Sequence, residues 1–112
     1  METKKDWFIS WFDTSYYHIL YKNRDDTEAQ LFMQQITSFL KLPHQTHILD
    51  LACGKGRHSV FLNSLGYTVS GVDLSANNIA SANLKTTDHL HFKVHDMRDP
   101  FSEKYNAIFN LF

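Results

Sequence analysis

The sequence has few of the residues that usually cross-link or punctuate a chain. Its 112 residues include 4 Gly, 2 Pro and 1 Cys. The single cysteine, Cys53, excludes an internal disulfide, so nothing indicates an oxidising compartment. No apolar run approaches the roughly 18 residues that a membrane-spanning helix needs. Residues 1–6 also lack the basic and then apolar layout of a signal peptide. We therefore predict a cytoplasmic protein without a membrane segment.

An excess of charge of one sign is also missing. Eleven Lys and Arg stand against twelve Asp and Glu, which gives a net charge of −1. This balance argues against a general nucleic-acid binder, because such a protein needs a basic surface. The hydrophobic fraction of 43% and the aromatic fraction of 14% are sufficient for the core of one domain. They exclude disorder over the whole length.

A metal-ligand pattern is absent as well, although the chain contains seven histidines. No cysteine pair and no cluster of acids completes a tetrahedral site around them. We expect no metal, and we interpret the histidines of residues 89–95 as one polar face of a strand.

Hydrophobic periodicity divides the chain near residue 45. Residues 1–45 are predicted to form a helical extension, aromatic-rich at first and then a helix that begins at the capping-box pair Asp25 and Glu28. The apolar face of that helix is predicted to contain Phe32, Ile36, Phe39 and Leu40. From residue 46, strands and helices alternate: strand 48–52, helix 57–65, strand 67–72, a helix from Ser75 to about Leu84, strand 89–95 and strand 105–112.

This alternation predicts an α/β fold, a Rossmann-like parallel sheet with helices on both faces. The alternating third strand suits a sheet edge, whereas the first and fourth are apolar enough for central positions. The chain stops at the fourth strand. We therefore expect residues 46–112 to be part of a longer domain, or another chain to cover this edge. An exposed fourth strand would promote self-association.

Three acids, Asp50, Asp73 and Asp96, follow the first three strands. The carboxyl ends of parallel strands meet at one edge of a sheet, where open α/β sheets bind ligands. After Asp50 comes a bend with two glycines, which lets the backbone approach a bulky ligand, and then the N-terminus of a helix. A carboxylate at Asp73 can accept hydrogen bonds from two ribose hydroxyls. Asp96 can accept from an exocyclic amine, with the Met97 backbone beside the purine edge. We predict a nucleoside-bearing cofactor.

Four segments resemble, in order and spacing, the motifs of the class I S-adenosylmethionine-dependent methyltransferases. They are Ile48–Ser59 (ILDLACGKGRHS), Gly71–Ser75 (GVDLS), His95–Arg98 (HDMR) and Tyr105–Asn110 (YNAIFN). The resemblance implies a sheet of order 3-2-1-4, S-adenosylmethionine as cofactor, and methyl transfer to an unidentified acceptor. The near-neutral charge favours a small molecule as acceptor. The family sheet has seven strands, of which four are expected here, so activity of this chain alone is not assured.

The resemblance also assigns roles residue by residue. The backbone of Ala52, Cys53 and Gly54 would line the methionine end of the cofactor, and Asp50 would hold its amino group directly or through water. The remaining assignments are Asp73 to the ribose, Leu74, Asp96 and Met97 to the adenine, and Asn110 to the neighbourhood of the sulfonium. Ala52 stands where the family usually has its first glycine, and Asn106 where an Asp is common. No general base can be named.

The aromatic N-terminal segment admits two interpretations. In one, it is a helix that packs Trp and Phe side chains on the sheet. In the other, it is a lid over the cofactor, with Tyr16, Tyr17 or Tyr21 in contact with cofactor or substrate. Arg24 would then pair with the cofactor carboxylate.

Two other functions and several plainer residue roles remain open. The chain could be a cofactor-binding module without catalysis, or an NAD-binding domain. The NAD pattern requires a glycine where Ser59 stands. Asp50 could cap the bend, Asp73 could be an acid beside a helix N-cap, and Asp96 could bond Arg98. Cys53 is expected to be a small packed residue, since no partner base is evident.

Overall fold

A computed structural model describes residues 17–21, 25–43, 46–96, 98–101 and 105–111. Its elements are β1 (Tyr17–Tyr21), α1 (Asp26–Leu40), β2 (His47–Leu51), α2 (Arg57–Ser64), β3 (Thr68–Asp73), α3 (Ala76–Ala82) followed by a 3-10 turn (Asn83–Lys85), β4 (Leu90–Val94) and β5 (Ala107–Leu111). None of the described helices has both the length and the apolar character needed to cross a bilayer.

The strands form one parallel sheet in the order β1-β5-β2-β3-β4. The predicted order 3-2-1-4 corresponds to β4-β3-β2-β5 and is confirmed. The polar, alternating strand β4 lies at an edge, as its sequence pattern indicated. The two strands predicted to be central, β2 and β5, lie side by side inside the sheet.

Residues 17–21 form a strand, so the prediction of a helix for this part of the extension is wrong. β1 pairs with β5 from Tyr17 opposite Ala107 to Tyr21 opposite Leu111. The same pairing shows that the fourth strand is not an exposed edge, so that part of the prediction is wrong, whereas self-association of the chain stays a prediction. Aromatic and β-branched residues suit a pleated strand once a partner is available, and the partner here is distant in sequence.

Helix α1 begins where the sequence predicted, but a different face is buried. The Asp25 side chain accepts a hydrogen bond from the Glu28 backbone N–H at 2.8 Å. The helix ends before Lys41, which has a left-handed φ of 53°. The buried residues are Ala29, Met33 and Thr37, whereas Phe32 and Ile36 are half-buried. The predicted core residue Phe39 is 80% exposed. Ala29 is fully buried, although a count of large apolar side chains passes over this small residue.

The core has two parts on opposite faces of the sheet. The larger contains buried residues of all three helices, including Met33, Leu62 and Ile79, packed on strand residues such as Phe109. The smaller consists of Leu49, Leu51, Val72, Tyr105 and Ile108 with Phe101, and it contains no helical residue. Within the described ranges, helices therefore cover one face of the sheet, whereas the sequence predicts helices on both faces.

Candidate cofactor site

The bend between β2 and α2 contains three residues in the left-handed region. The φ angles are 55° for Ala52, 60° for Gly54 and 88° for Gly56. A Cβ built on Gly54 would meet no atom within 4 Å, whereas one on Gly56 would lie 2.7 Å from the Phe92 ring. Gly54 therefore faces open space, as expected for a backbone that a ligand approaches, while Gly56 serves close packing.

Asp73 connects the end of β3 to this bend. Its Oδ2 accepts a hydrogen bond from the Gly54 N–H at 2.8 Å, and its Oδ1 accepts one from the Ser75 N–H at 2.8 Å. These bonds fix the orientation of the half-buried carboxylate. Each oxygen keeps a second lone pair that can accept another hydrogen bond. Asp73 is thus prepared to receive two donors from a ligand, although it also supports the start of α3.

A cavity of about 160 Å³ lies at the carboxyl ends of β2, β3 and β4. Its lining includes Ala52, Asp73, Leu74 and Asp96, four residues named from the sequence. The Leu74 side chain is 68% exposed and supplies an apolar wall beside the carboxylates. The cavity therefore combines acceptors for hydroxyl or amine donors with a surface for a flat apolar ring.

Asp96 lines this cavity and is also paired with Arg98. Asp96 Oδ2 lies 2.6 Å from Arg98 Nη2, and the Arg98 backbone N–H donates to Oδ1 at 2.9 Å. The hydrogen bonds from Arg98 lower the pKa of the Asp96 carboxyl to about 2. Asp96 therefore bonds Arg98, as the simpler of the two interpretations predicted, and it also lines the cavity. Contact with an adenine amine stays a prediction.

Asp50 lies beneath the bend, away from the cavity wall. It is 1% exposed, and its Oδ2 accepts a hydrogen bond from Ser59 Oγ at 2.5 Å. Burial raises the pKa of the Asp50 carboxyl to about 7, the Ser59 hydrogen bond opposes this rise, and the charge of Asp73 adds to it. The structure therefore brings Asp73 and Asp96 together around one cavity and places Asp50 against helix α2. Its contact with a cofactor amino group stays a prediction.

A second, larger cavity of about 550 Å³ lies between the bend and residues of α2 and α3. Ala52, Cys53 and Gly54 line it together with basic side chains, including Lys55 and Lys85. Burial raises the pKa of the Cys53 thiol to about 12, and the charges of nearby acids add to the effect. Cys53 is therefore a packed thiol rather than an activated nucleophile, in line with expectation.

The remaining predicted residues are placed only in part. Asn110 lies on β5 opposite Leu51, and its Oδ1 is buried without a hydrogen-bond partner in the described part of the chain. Tyr21 ends β1 at the same sheet edge as the bend. The Tyr21 side chain, Tyr16, Arg24 and Met97 lie outside the described residues, and the lid hypothesis lies there with them.

Sequence reasoning missed two residues that shape the site. His95 lines the 160 Å³ cavity and stacks on Phe101 with ring centroids 4.1 Å apart. Its position directly before Asp96 was the available signal. Ser59, noted only because it is not a glycine, is the partner of Asp50. Among the described residues, no group of three or more His, Cys, Asp or Glu is arranged to hold a metal.

Comparison with known proteins places these features in a family. Residues 12–111 match the sequence profile of a family described as tellurite resistance protein TehB. The chain is 37% identical over 71 residues to the putative methyltransferase YqeM of Bacillus subtilis, covering 60% of this chain and 29% of that protein. It is 50% identical over 36 residues to the probable S-adenosyl-L-methionine-dependent methyltransferase TehB of Haemophilus influenzae, covering 32% of this chain and 13% of that protein.

Solved structures show the same arrangement of the chain. A TehB-like SAM-dependent methyltransferase from Corynebacterium glutamicum superposes with a TM-score of 0.57 at 25% identity, covering 75% of this chain and 52% of that one. The glycopeptide N-methyltransferase MtfA, complexed with sinefungin, superposes with a TM-score of 0.63 at 16% identity. That match covers 97% of this chain and 47% of MtfA, and it shows the fold alone. This chain thus spans about half of each of these structures.

Proposed function

Since this chain belongs to the family of the tellurite resistance protein TehB, we propose that it binds S-adenosylmethionine and forms the cofactor-binding part of a methyltransferase. The observation that carries the proposal is the shared cavity of Ala52, Asp73, Leu74 and Asp96 at one edge of the parallel sheet. Open α/β sheets bind nucleotide-like ligands at this edge. The relatives that are named as methyltransferases support the same function.

The residues of the cavity fit the nucleoside part of this cofactor. The fixed Asp73 carboxylate keeps lone pairs for two ribose hydroxyls. Leu74 offers an apolar surface to the adenine ring, and the open side of Gly54 leaves room along the backbone for the methionine end. Asp96 would accept a bond from the adenine amine in exchange for one of the hydrogen bonds that Arg98 donates to its two oxygens.

The bound cofactor would supply a methyl group already activated by its attachment to a positive sulfur. The protein then has to hold the acceptor in line with the carbon–sulfur bond and exclude water. The Oδ1 atom of Asn110 is buried and has no hydrogen-bond partner among the described residues, so it is suited to accept a hydrogen bond from a bound molecule. We propose a small-molecule acceptor and a cytoplasmic location; the net charge of −1 supports the former.

Isothermal titration calorimetry with S-adenosylhomocysteine and, separately, NAD tests this function. We expect S-adenosylhomocysteine to bind and NAD to give no heat above dilution. The Asp73→Asn variant should weaken binding by roughly tenfold, because a charged acceptor forms stronger hydrogen bonds to ribose hydroxyls than a neutral amide does.

Asp88→Asn is the matched control, because Asp88 is an exposed acid just before β4 and is not among the residues lining the cavity. It should bind as the wild type does. Binding of NAD in place of S-adenosylhomocysteine, or equal affinity of the Asp73→Asn variant and the wild type, would contradict the proposal.

A further inference from the structure

The 550 Å³ cavity beside the bend is lined by side chains to which the proposed function gives no role. We call it the basic cavity. It meets the 160 Å³ nucleoside cavity at Ala52, which lines both. The proposed function uses only the backbone of the bend, whereas side chains of the bend, of α2 and of the residues from α3 onward also line the basic cavity. A ligand group next to the nucleoside would therefore lie against these side chains.

Three cations line the basic cavity, and each comes from a different part of the chain. Lys55 lies in the bend, Arg57 begins α2, and Lys85 ends the 3-10 turn after α3. The other described lining residues are uncharged at neutral pH, namely Ala52, Cys53, Gly54, His58 and Asn78. No Asp or Glu is among the lining residues that the structure describes. The basic cavity thus concentrates positive charge in a chain whose net charge is −1.

Nearby acids offset this charge only in part. Asp26 of α1 pairs with Arg57 at 3.1 Å, and both side chains are more than half exposed, so water screens the pair. Asp73 lines the nucleoside cavity and not this one. Lys55 and Lys85 have no acid partner within the described ranges. The Lys85 ammonium donates to the Lys55 carbonyl at 3.4 Å, which holds it beside the bend without neutralising its charge.

Uncharged hydrogen-bond donors also line the basic cavity. His58 is 7% exposed, so the cavity has a buried polar wall in addition to its exposed lysines. Burial lowers the pKa of the His58 imidazole, and the charge of Arg57 adds to this effect while Asp26 opposes it. The ring is therefore neutral at pH 7 and carries one N–H, and the Asn78 amide carries two more. Positive charge together with neutral N–H groups is the donor set that binds a carboxylate or a phosphate.

We propose that the basic cavity is an anion site, which takes a carboxylate or phosphate group beside the bound nucleoside. This inference deepens the proposed function and rests on it for the neighbouring ligand, because the two cavities meet at Ala52. Two sources can supply the group: the carboxylate of S-adenosylmethionine, or an acid group of a second molecule such as the methyl acceptor. In both cases Lys55 and Lys85 attract the anion, and His58 and Asn78 donate hydrogen bonds to it.

Inorganic phosphate tests the site in the 112-residue chain without any nucleoside. The amide NMR signals are followed during a titration at pH 7, with sodium chloride adjusted to keep the ionic strength constant. We expect saturable shifts at the bend and at Lys85. The double variant Lys55→Gln, Lys85→Gln changes two exposed residues, so it should fold as the wild type does. It should bind phosphate roughly tenfold more weakly, because two positive charges are lost.

Lys93→Gln is the matched control. Lys93 is an exposed lysine of β4 and lines neither the basic cavity nor the nucleoside cavity. This variant should bind phosphate as the wild type does.

The same titration with a saturating nucleoside ligand identifies the source of the anion. 5′-Methylthioadenosine and S-adenosylhomocysteine share the nucleoside and the thioether, but only S-adenosylhomocysteine carries a carboxylate. Phosphate binding that is lost with S-adenosylhomocysteine alone assigns the site to the carboxylate of the cofactor. Phosphate binding that is equal with both ligands assigns it to a second molecule.

The outcomes separate this inference from the proposed function. If the wild type shows no saturable phosphate binding, or if the double variant binds phosphate as tightly as the wild type, the anion site is overturned while cofactor binding is unaffected. Equal weakening by Lys93→Gln and the double variant also overturns it, because the charge effect is then not local. If phosphate binds and neither nucleoside ligand does, the proposed function falls and the anion site stands.

Discussion

At the scale of single residues, Ala52 carries the clearest backbone strain in the site. Its φ of 55° lies in the left-handed region, where a Cβ costs about 1–2 kcal/mol. Ala52→Gly should therefore raise the free energy of unfolding by about 1 kcal/mol, since part of the gain is offset by the greater freedom of glycine in the unfolded chain. Denaturant unfolding at constant pH measures the change.

The matched control for this substitution is Ala80→Gly. Ala80 is an exposed residue within helix α3. Glycine there should lower stability by roughly 0.5–1 kcal/mol, the opposite sign. A destabilised Ala52→Gly variant would show that the bend does not hold the left-handed conformation in solution.

Asp50 should make stability depend on pH. The pKa of its carboxyl is about 7 in the folded chain, against 3.8 for an ordinary aspartate. Between these values the folded state binds more protons than the unfolded state, so the free energy of unfolding falls as pH rises from about 4 to 7. The Asp50→Asn variant should lose this contribution, which amounts to at most about 4 kcal/mol. Unfolding curves for both proteins at pH 4.5, 6 and 7.5 measure the difference, and parallel pH profiles would contradict it.

Asp50 and its partner Ser59 show which features of the site the sequence does not predict. The position of Asp50 at the end of a strand follows from the apolar run before it. The direction of its side chain does not follow from the sequence. Alternation along a strand tells which residues share a face of the sheet, but it does not tell which face the helices cover. The hydrogen bond from Ser59 to Asp50 depends on how α2 packs against the sheet, which the sequence pattern does not give. For Asp73 and Asp96, the common sheet edge alone was sufficient.

At the scale of elements, β1 pairs with β5 and makes it an interior strand. The backbone of β5 would otherwise present unpaired N–H and C=O groups along an apolar strand. Deletion of residues 1–21 should therefore produce concentration-dependent association, because identical exposed edges can pair. Light scattering over a range of concentrations measures it, with the 112-residue chain as the comparison. A shortened chain that stays monomeric would mean that β5 is protected in some other way.

The elements from residue 46 onward were predictable because their signals are local. Each boundary is marked by residues next to it: Asp50–Ala52 before the bend, Gly66 with a left-handed φ of 104° after α2, and the N-cap Ser75 before α3. Residues 17–21 carry no such marker, because their aromatic pattern fits a helix or a strand and pairing with β5 decides between them. The predicted face of α1 follows its large apolar side chains, whereas the face that is buried includes the small Ala29 and the polar Thr37.

At the scale of the whole molecule, the sheet should have a gradient of local stability. β5, β2 and β3 each pair with strands on both sides, whereas β4 pairs on one side in the part of the chain that the structure describes. Backbone groups bonded on both sides open less often. We expect the amides of β5, β2 and β3 to exchange with deuterium most slowly and those of β4 to exchange sooner. Hydrogen-exchange mass spectrometry or NMR checks the order, and equal protection of β4 and β2 would contradict it.

The pairing of β1 with β5 has a consequence for how the chain is made. During synthesis β1 leaves the ribosome first among the described strands and β5 last, so β1 must wait for its partner while everything between them emerges. Closing so large a loop is slow compared with forming neighbouring pairs. Segment 17–21 is therefore the stretch on which a chaperone has the longest time to act.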